Sequence, residues 1–215
     1  LTAILFDLDG TLVDSSPGIL NAFQYTFKQM NHIVPDASLL STYIGPPLET
    51  TFRAFFENKD QVEQAILHFR AFYKESGIYQ VSVYDDIETL LRTLVQEGFD
   101  LYVTTSKHEP MAIQMLTNLG IADYFTGGFG STSVRYHKAD VIQACLQTMS
   151  TSAQNPIIIG DTKFDIIGGK QANLTTIGVT WGFGSQEELQ LSKADYIVKQ
   201  PLDIYTLLQN LSTLS

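Results

Sequence analysis

Short, unbroken apolar runs punctuate the chain: Ala3-Ile4-Leu5-Phe6, Leu101-Tyr102-Val103 and Pro156-Ile157-Ile158-Ile159. A run of this length without polar alternation predicts a strand buried on both faces, as at the centre of a parallel sheet. Between the runs the apolar spacing lengthens to that of helices. Ile87, Leu90, Leu91, Leu94 and Val95 form one face, opened by Asp85-Asp86-Ile87-Glu88 and closed by Gly98. Met111, Met115, Leu116 and Leu119 form another that ends at Gly120, and Val141, Ile142, Leu146 and Met149 a third, in a helix around Lys138 to Met149. Phe99 to Thr105, Phe125 to Phe129, Thr175 to Thr180 and Tyr196 to Val198 are the further expected strands, and a helix from Pro201 to Leu211 closes the pattern.

One stretch breaks this alternation. Residues 15 to 80 read as helical: Ser16-Pro17 supplies a hydroxyl cap and a first-turn proline, and Ile19, Phe23, Phe27 and Met30 follow at helical spacing. Val62, Ile66, Phe69 and Tyr73 form a second stripe beyond the stiff breaker Tyr43-Ile44-Gly45-Pro46-Pro47-Leu48. The expected organisation is an α/β core from residues 1–14 and 81–215, a Rossmann-like parallel sheet flanked by helices, with an all-helical cap of residues 15–80 inserted after the first strand. The insertion departs at the C-terminal end of that strand, the edge at which open α/β sheets hold ligands.

Composition narrows the function classes. At 215 residues and 44% hydrophobic content there is chain enough for a substantial core. Twenty-three acids against 13 bases give a net charge of −10 with no basic cluster, which disfavours nucleic acid and anionic membranes as partners. The single cysteine, Cys145, lies on an apolar helical face without metal-ligand spacing and reads as a small buried residue in a reducing compartment. No apolar stretch is long enough for a bilayer span and the first residues enter a strand without a basic leader, so the expected location is the cytoplasm. No glycine-rich nucleotide-cofactor fingerprint is present.

The chemistry concentrates where strands end. Asp7 and Asp9 stand two residues apart just after Ala3–Phe6, so strand alternation points both side chains into one small space. Two anions that close call for a proton or a hard cation between them. Three later segments can meet them: Thr104-Thr105-Ser106-Lys107 after one strand, Lys138 at a helix start, and Gly160-Asp161-Thr162-Lys163-Phe164-Asp165 after another. Hydroxyls and backbone N–H groups can hold phosphate oxygens, a lysine can neutralise the anion, and further carboxylates can hold a metal. Thr104 is the one-residue alternative to Thr105, Lys107 competes with Lys138, and Asp14 can be a plain turn residue.

Together, Asp7-x-Asp9-Gly10-Thr11-Leu12-Val13-Asp14-Ser15, Thr105, Lys138 and Gly160-Asp161-x-x-x-Asp165 resemble the four ordered motifs of the haloacid-dehalogenase-like hydrolases. The stretch Ile177-Gly178-Val179-Thr180-Trp181-Gly182-Phe183-Gly184-Ser185 is similar to the phosphoglycolate-phosphatase-like branch. The resemblance implies a Mg2+-dependent phosphatase that hydrolyses a small phosphate monoester. Asp7 would be the nucleophile and Asp9 the acid and base. Asp7, the Asp9 carbonyl, Asp161 and, through water, Asp165 would serve the metal, and Thr105, Ser106 and Lys138 would hold the phosphoryl group. The implied partner is a small-molecule phosphate ester, bound by a monomer or weak dimer. The alternatives are a phosphomutase of the same superfamily and a receiver-like phospho-aspartate module. The cap would act as a lid, with Ile44-Gly45-Pro46-Pro47-Leu48 and Arg53 as candidates for reading the leaving group. Two departures from the family pattern are Gly169 after Gly168, where relatives usually carry alanine, and Asp85, where they often have glycine.

Overall fold

A computed structural model of the protein describes residues 2–149 and 155–212. Backbone contacts divide the chain into two units, 1–14 with 83–215 and 15–82. The strands are β1 (Ala3–Phe6), β2 (Val13–Asp14), β3 (Ser82–Val83), β4 (Asp100–His108), β5 (Gly127–Ser131), β6 (Ile157–Gly160), β7 (Thr175–Val179) and β8 (Tyr196–Val198). Six of them form one parallel sheet in the order β5-β4-β1-β6-β7-β8, and β2 pairs with β3 separately. The unbroken apolar runs of β1 and β6 are side by side at the sheet centre, where neither face meets water.

Side-chain alternation along β1 sorts the core. Ala3 and Leu5 join Tyr102, Ile158 and Leu174 against Ile142 and Cys145 of helix α7 (Lys138–Thr148). Burial pushes the Cys145 thiol up to about 12, so it is an inert packing group. On the other face the Phe6 ring meets the edge of Phe125 at 6.4 Å. Phe125 was expected to begin a strand, but β5 begins at Gly127 and Phe125 packs instead. β4 also differs from expectation: it passes Thr105 and runs to His108, with a register irregularity between Thr104 and His108.

The helices α5 (Ile87–Gln96), α6 (Glu109–Asn118), α8 (Lys163–Gln171), α9 (Gln186–Leu191) and α10 (Pro201–Ser212) complete this unit. In α5 the expected apolar face holds except for Val95, which is exposed. Gly98 and Gly120 end α5 and α6 in the left-handed region, at φ +86° and +72°. The left-handed residue before α5 is Asp86, at φ +66°, rather than Asp85. Position 86 is therefore the one whose backbone favours glycine.

Residues 15–82 contain α1 (Ser16–Gln29), α2 (Ala37–Ser41), α3 (Leu48–Arg53) and α4 (Lys59–Glu75). Phe23 meets Phe69 at 5.1 Å and Phe52 at 5.9 Å, and Phe27 meets Phe55 at 4.9 Å, so aromatic packing supplies this small core. The cap residue of α1 is Ser15, not Ser16, and its buried hydroxyl makes no capping bond. α4 is capped by Asn58, which accepts from the Asp60 N–H at 2.8 Å. Arg53 forms an exposed pair with Glu49 one helical turn away. Among the described residues no helix is long and apolar enough to cross a membrane.

Gly169 has a packing reason that its sequence position conceals. A methyl group there would sit 2.4 Å from Ile158 Cγ2 and 2.8 Å from Thr176 Cγ2, because α8 lies directly on β6 and β7. Helix propensity alone predicts that Gly169→Ala stabilises by about 1 kcal/mol. The overlap reverses the sign, and a net loss of about 1–3 kcal/mol is expected in denaturant unfolding. A gain in stability would show that the sheet can give way at this contact.

Candidate active site

The register of three strands builds the site. Phe6 pairs with Val103 on one side and Ile159 on the other, so the next row sets Asp7 between Thr104 and Gly160. The Asp7 N–H donates to the Ile159 carbonyl at 2.9 Å and prolongs the ladder by one bond. Alternation puts Asp7 on the face of Ala3 and Leu5, toward α7, whose first residue is Lys138. The Lys138 ammonium lies 2.9 Å from Asp7 Oδ1 and 2.7 Å from Asp165 Oδ1, and donates to the Thr104 carbonyl at 2.5 Å. Thr104 therefore contributes its carbonyl. Its hydroxyl is buried and makes no hydrogen bond among the described residues.

Asp161 and Asp165 arrive from the end of β6 and the first turn of α8. Asp161 accepts from the Thr11 hydroxyl at 3.1 Å and from the Phe183 N–H at 2.8 Å. Asp165 and Thr162 form a capping box: Asp165 Oδ2 accepts from the Thr162 N–H at 3.1 Å and its hydroxyl at 3.2 Å. That leaves Asp165 Oδ1 buried and ion-paired to the Lys138 ammonium. Two glycines make the crowding possible. A Cβ on Gly10 (φ +82°) would lie 2.2 Å from Asp161 Oδ2, and one on Gly160 would lie 2.1 Å from Asp165 Cγ.

Asp7, Asp161 and Asp165 thus bring buried carboxylate oxygens within 4.8 Å of one another. Three carboxylates face one ammonium. Burial, followed by the Asp165 charge, drives Asp7 well above the usual carboxylate range, with Asp161 adding to the rise and Lys138 opposing it. Burial and then Asp165 push Asp161 up to about 7, against the hydrogen bonds from Phe183 and Thr11. Burial alone would lower the Lys138 pKa, but Asp165 and Asp7 outweigh it and hold the ammonium charged. An all-oxygen donor set of three buried carboxylates, with Lys138 ion-paired to two of them, fits a hard divalent cation.

Asp9 is not part of that trio. The strand stops at Phe6, and the N–H groups of Thr11, Leu12 and Val13 converge on the Leu8 carbonyl at 3.0–3.2 Å, with Asp9 bridged to Val13. Strand alternation therefore no longer applies at Asp9, and its side chain does not join the carboxylate trio. Asp9 Oδ1 instead lies 3.2 Å from the Lys107 ammonium. Thr105 is buried on β4, and its hydroxyl accepts from the Lys107 N–H at 3.1 Å; Ser106, next to it, is half-buried. The two lysines weighed against each other thus serve different carboxylates.

Sequence reasoning missed several groups. Thr11 and the Phe183 N–H hold Asp161, and the Trp181 indole N–H donates to the Thr11 carbonyl at 3.0 Å. Trp181 and Phe183 belong to a stretch singled out only for its resemblance; the Thr11–Asp161 and Trp181–Thr11 bonds span 150 and 170 residues and the Phe183–Asp161 bond 22, so no local pattern marks them. Tyr84 carries no motif that marks it in the sequence. Burial first, then the charges of Asp14, Asp161 and Asp9, raise its pKa, so its phenol stays neutral near the carboxylates.

Known proteins share this arrangement of chain. The profile of haloacid dehalogenase-like hydrolases matches residues 4–179. A solved haloacid dehalogenase-like hydrolase from Streptococcus pneumoniae superposes with a TM-score of 0.91 at 43% identity, over 97% of this chain and 98% of that one. A 5'-nucleotidase of Pseudomonas aeruginosa is 34% identical over 87% of this chain and 86% of its own length. A phosphoglycolate phosphatase of Neisseria meningitidis is 28% identical over 96% and 93%. With the profile spanning the carboxylate motifs from β1 to β7, this chain belongs to the haloacid dehalogenase-like hydrolases.

Proposed function

We propose that the protein is a Mg2+-dependent phosphatase that hydrolyses a small phosphate monoester through an aspartyl-phosphate on Asp7. The observation that carries this reading is the buried trio Asp7, Asp161 and Asp165 with Lys138 ion-paired into it at the end of the sheet. Family membership supports hydrolysis. The names of the nucleotidase and phosphoglycolate phosphatase relatives support phosphorus as the centre attacked, and their different substrates leave the ester itself to a screen by released phosphate. Mg2+ held by Asp7, Asp161 and the Asp9 carbonyl, with Asp165 acting through water, would offset the excess negative charge and polarise the phosphoryl oxygens.

The chain's own residues divide the work. An Asp7 carboxylate oxygen attacks phosphorus; the ester O–P bond breaks, its electron pair stays with the leaving oxygen, and Asp9 supplies the proton that makes it an alcohol. Water then attacks the aspartyl-phosphate and Asp9 takes the water's proton. The Asp7–phosphorus bond breaks, and inorganic phosphate leaves. Lys138, fixed between Asp7 and Asp165, stands where charge gathers on the transferring group. Thr105 and the Ser106 N–H, which lie within β4 rather than at its end, would complete the phosphate cradle.

Asp7→Asn removes the nucleophile while keeping its shape. Turnover of an aryl phosphate should fall by at least about a thousandfold. The melting temperature should not drop, because a carboxylate that burial disfavours has been neutralised. Residual activity near that of the unaltered protein would exclude Asp7 as the attacking group.

Metal dependence should carry a pH signature. Asp161 rises from the usual 3.8 to about 7 in the folded protein, so it binds its proton more tightly folded than unfolded. Its contribution to stability is fully present below the unfolded value and is lost as pH rises through about 7. Mg2+ competes with that proton. The rise in melting temperature on adding Mg2+ should therefore be larger near about pH 8 than near about pH 6, whereas chelator should abolish turnover and Ca2+ restore little of it. An increment equal at both pH values, or full activity in chelator, contradicts the metal assignment.

A further inference from the structure

Lys107 is the second ammonium of the site, and the mechanism above leaves it without a task. It stands on β4 beyond Thr105, in the part of the strand where the register with β5 breaks between Thr104 and His108. Its N–H donates to the Thr105 hydroxyl at 3.1 Å, which fixes the local backbone. Its side chain is 9% exposed, that of Asp9 19%, and the ammonium is 3.2 Å from Asp9 Oδ1. That oxygen is shielded from solvent and makes no hydrogen bond among the described residues, so the ion pair is its compensating contact. Charge pairs this sheltered are screened far less than surface ones. Lys138 is committed to Asp7, Asp165 and the Thr104 carbonyl.

We propose that Lys107 is a positioning residue for proton transfer: it holds Asp9 by Oδ1 so that Oδ2 delivers the proton to the leaving oxygen and later receives the proton of the attacking water. This rests on the phosphatase reading and on Asp9 as its proton carrier. The irregular end of β4 is the device that aims the ammonium at Asp9. The ammonium does not itself touch the transferring phosphoryl group. In the first step the Asp7–phosphorus bond forms, the ester O–P bond breaks, and the proton passes from Asp9 Oδ2 to the departing oxygen. In the second the proton of water passes to the same atom.

The consequence is a dependence on the leaving group. An alkoxide is a poor leaving group and needs its proton as the bond breaks, whereas a nitrophenolate leaves without one. A cation that bound phosphate would instead matter equally to both. The measurement is kcat/KM, which reports steps up to formation of the aspartyl-phosphate, for a series of phosphate monoesters from nitrophenyl to simple alkyl. Lys107→Met should lower kcat/KM for alkyl esters by roughly a hundredfold and for the nitrophenyl ester by no more than about threefold. Lys107→Arg should recover part of the alkyl loss.

In an Asp9→Asn background Lys107→Met should add no further leaving-group dependence, since the group being positioned no longer carries a proton. Equal losses across the series, no loss in any, or a leaving-group effect that persists without Asp9 would each overturn the proposal. Melting curves identify a variant that does not fold, in which case Lys107→Arg and the Asp9→Asn cycle built on it decide the matter. Absence of phosphatase turnover in the unaltered protein with Mg2+ would count against the phosphatase reading instead, so the two failures are told apart.

Discussion

Three buried carboxylates gathered around one ammonium are the constraint to which the α/β unit answers. Asp7, Asp161 and Asp165 are within 4.8 Å of one another, and Lys138 is the cation ion-paired to two of them. Holding such charges out of water costs several kcal/mol apiece unless each finds a partner. The sheet supplies those partners from remote segments: a hydroxyl on Thr11, a backbone N–H on Phe183, and the capping geometry of Thr162. Even so, burial and mutual repulsion keep Asp7 and Asp161 above the usual carboxylate range. The native site is thus strained toward accepting either protons or a divalent cation, and each relieves the strain at the other's expense.

Helix ends sharpen this arrangement. Asp165 stands in the first turn of α8, where the helix dipole favours an anion and the capping box uses one of its oxygens. Lys138 stands at the first residue of α7, where the dipole disfavours a cation. Its position is therefore held by the carboxylates it faces and by the Thr104 carbonyl, not by its own helix. A lysine placed against its local preference is a sign that the charge is required at that spot. The same economy of space governs Gly169: α8 must lie close on β6 and β7 to bring Asp165 to the trio, and a side chain at position 169 would hold it away.

Much of the fold was legible because its signals are local. Unbroken apolar runs marked β1 and β6, helical spacing marked α5, α6 and α7, and the six-stranded parallel sheet follows from their alternation. Asp7, Lys138, Asp161 and Asp165 could be singled out because each stands at a strand end or helix start, and the structure gathers those four. What failed depended on geometry that residue type does not encode. The tight turn after Phe6 takes Asp9 off the strand's alternation. The irregular end of β4 runs past Thr105 and carries Lys107 to Asp9. The left-handed residue before α5 is Asp86, one position after Asp85, where the family pattern often has glycine. The residue that caps α1 is Ser15, one position before the expected Ser16.

In the proposed mechanism, the separation of the two lysines bears on how one small site could perform two opposite proton transfers. Lys138 arrives from a helix and is held between Asp7, the proposed nucleophile, and Asp165. Lys107 arrives from the irregular end of a strand and meets Asp9, which the proposed mechanism makes the proton carrier. If a single ammonium served both carboxylates, any shift that helped the attacking oxygen would disturb the proton carrier. Two cations on independent elements, one on α7 and one on β4, let each carboxylate be held without reference to the other. The parallel sheet makes this possible, because neighbouring strands and the helix that follows deliver their ends to the same edge.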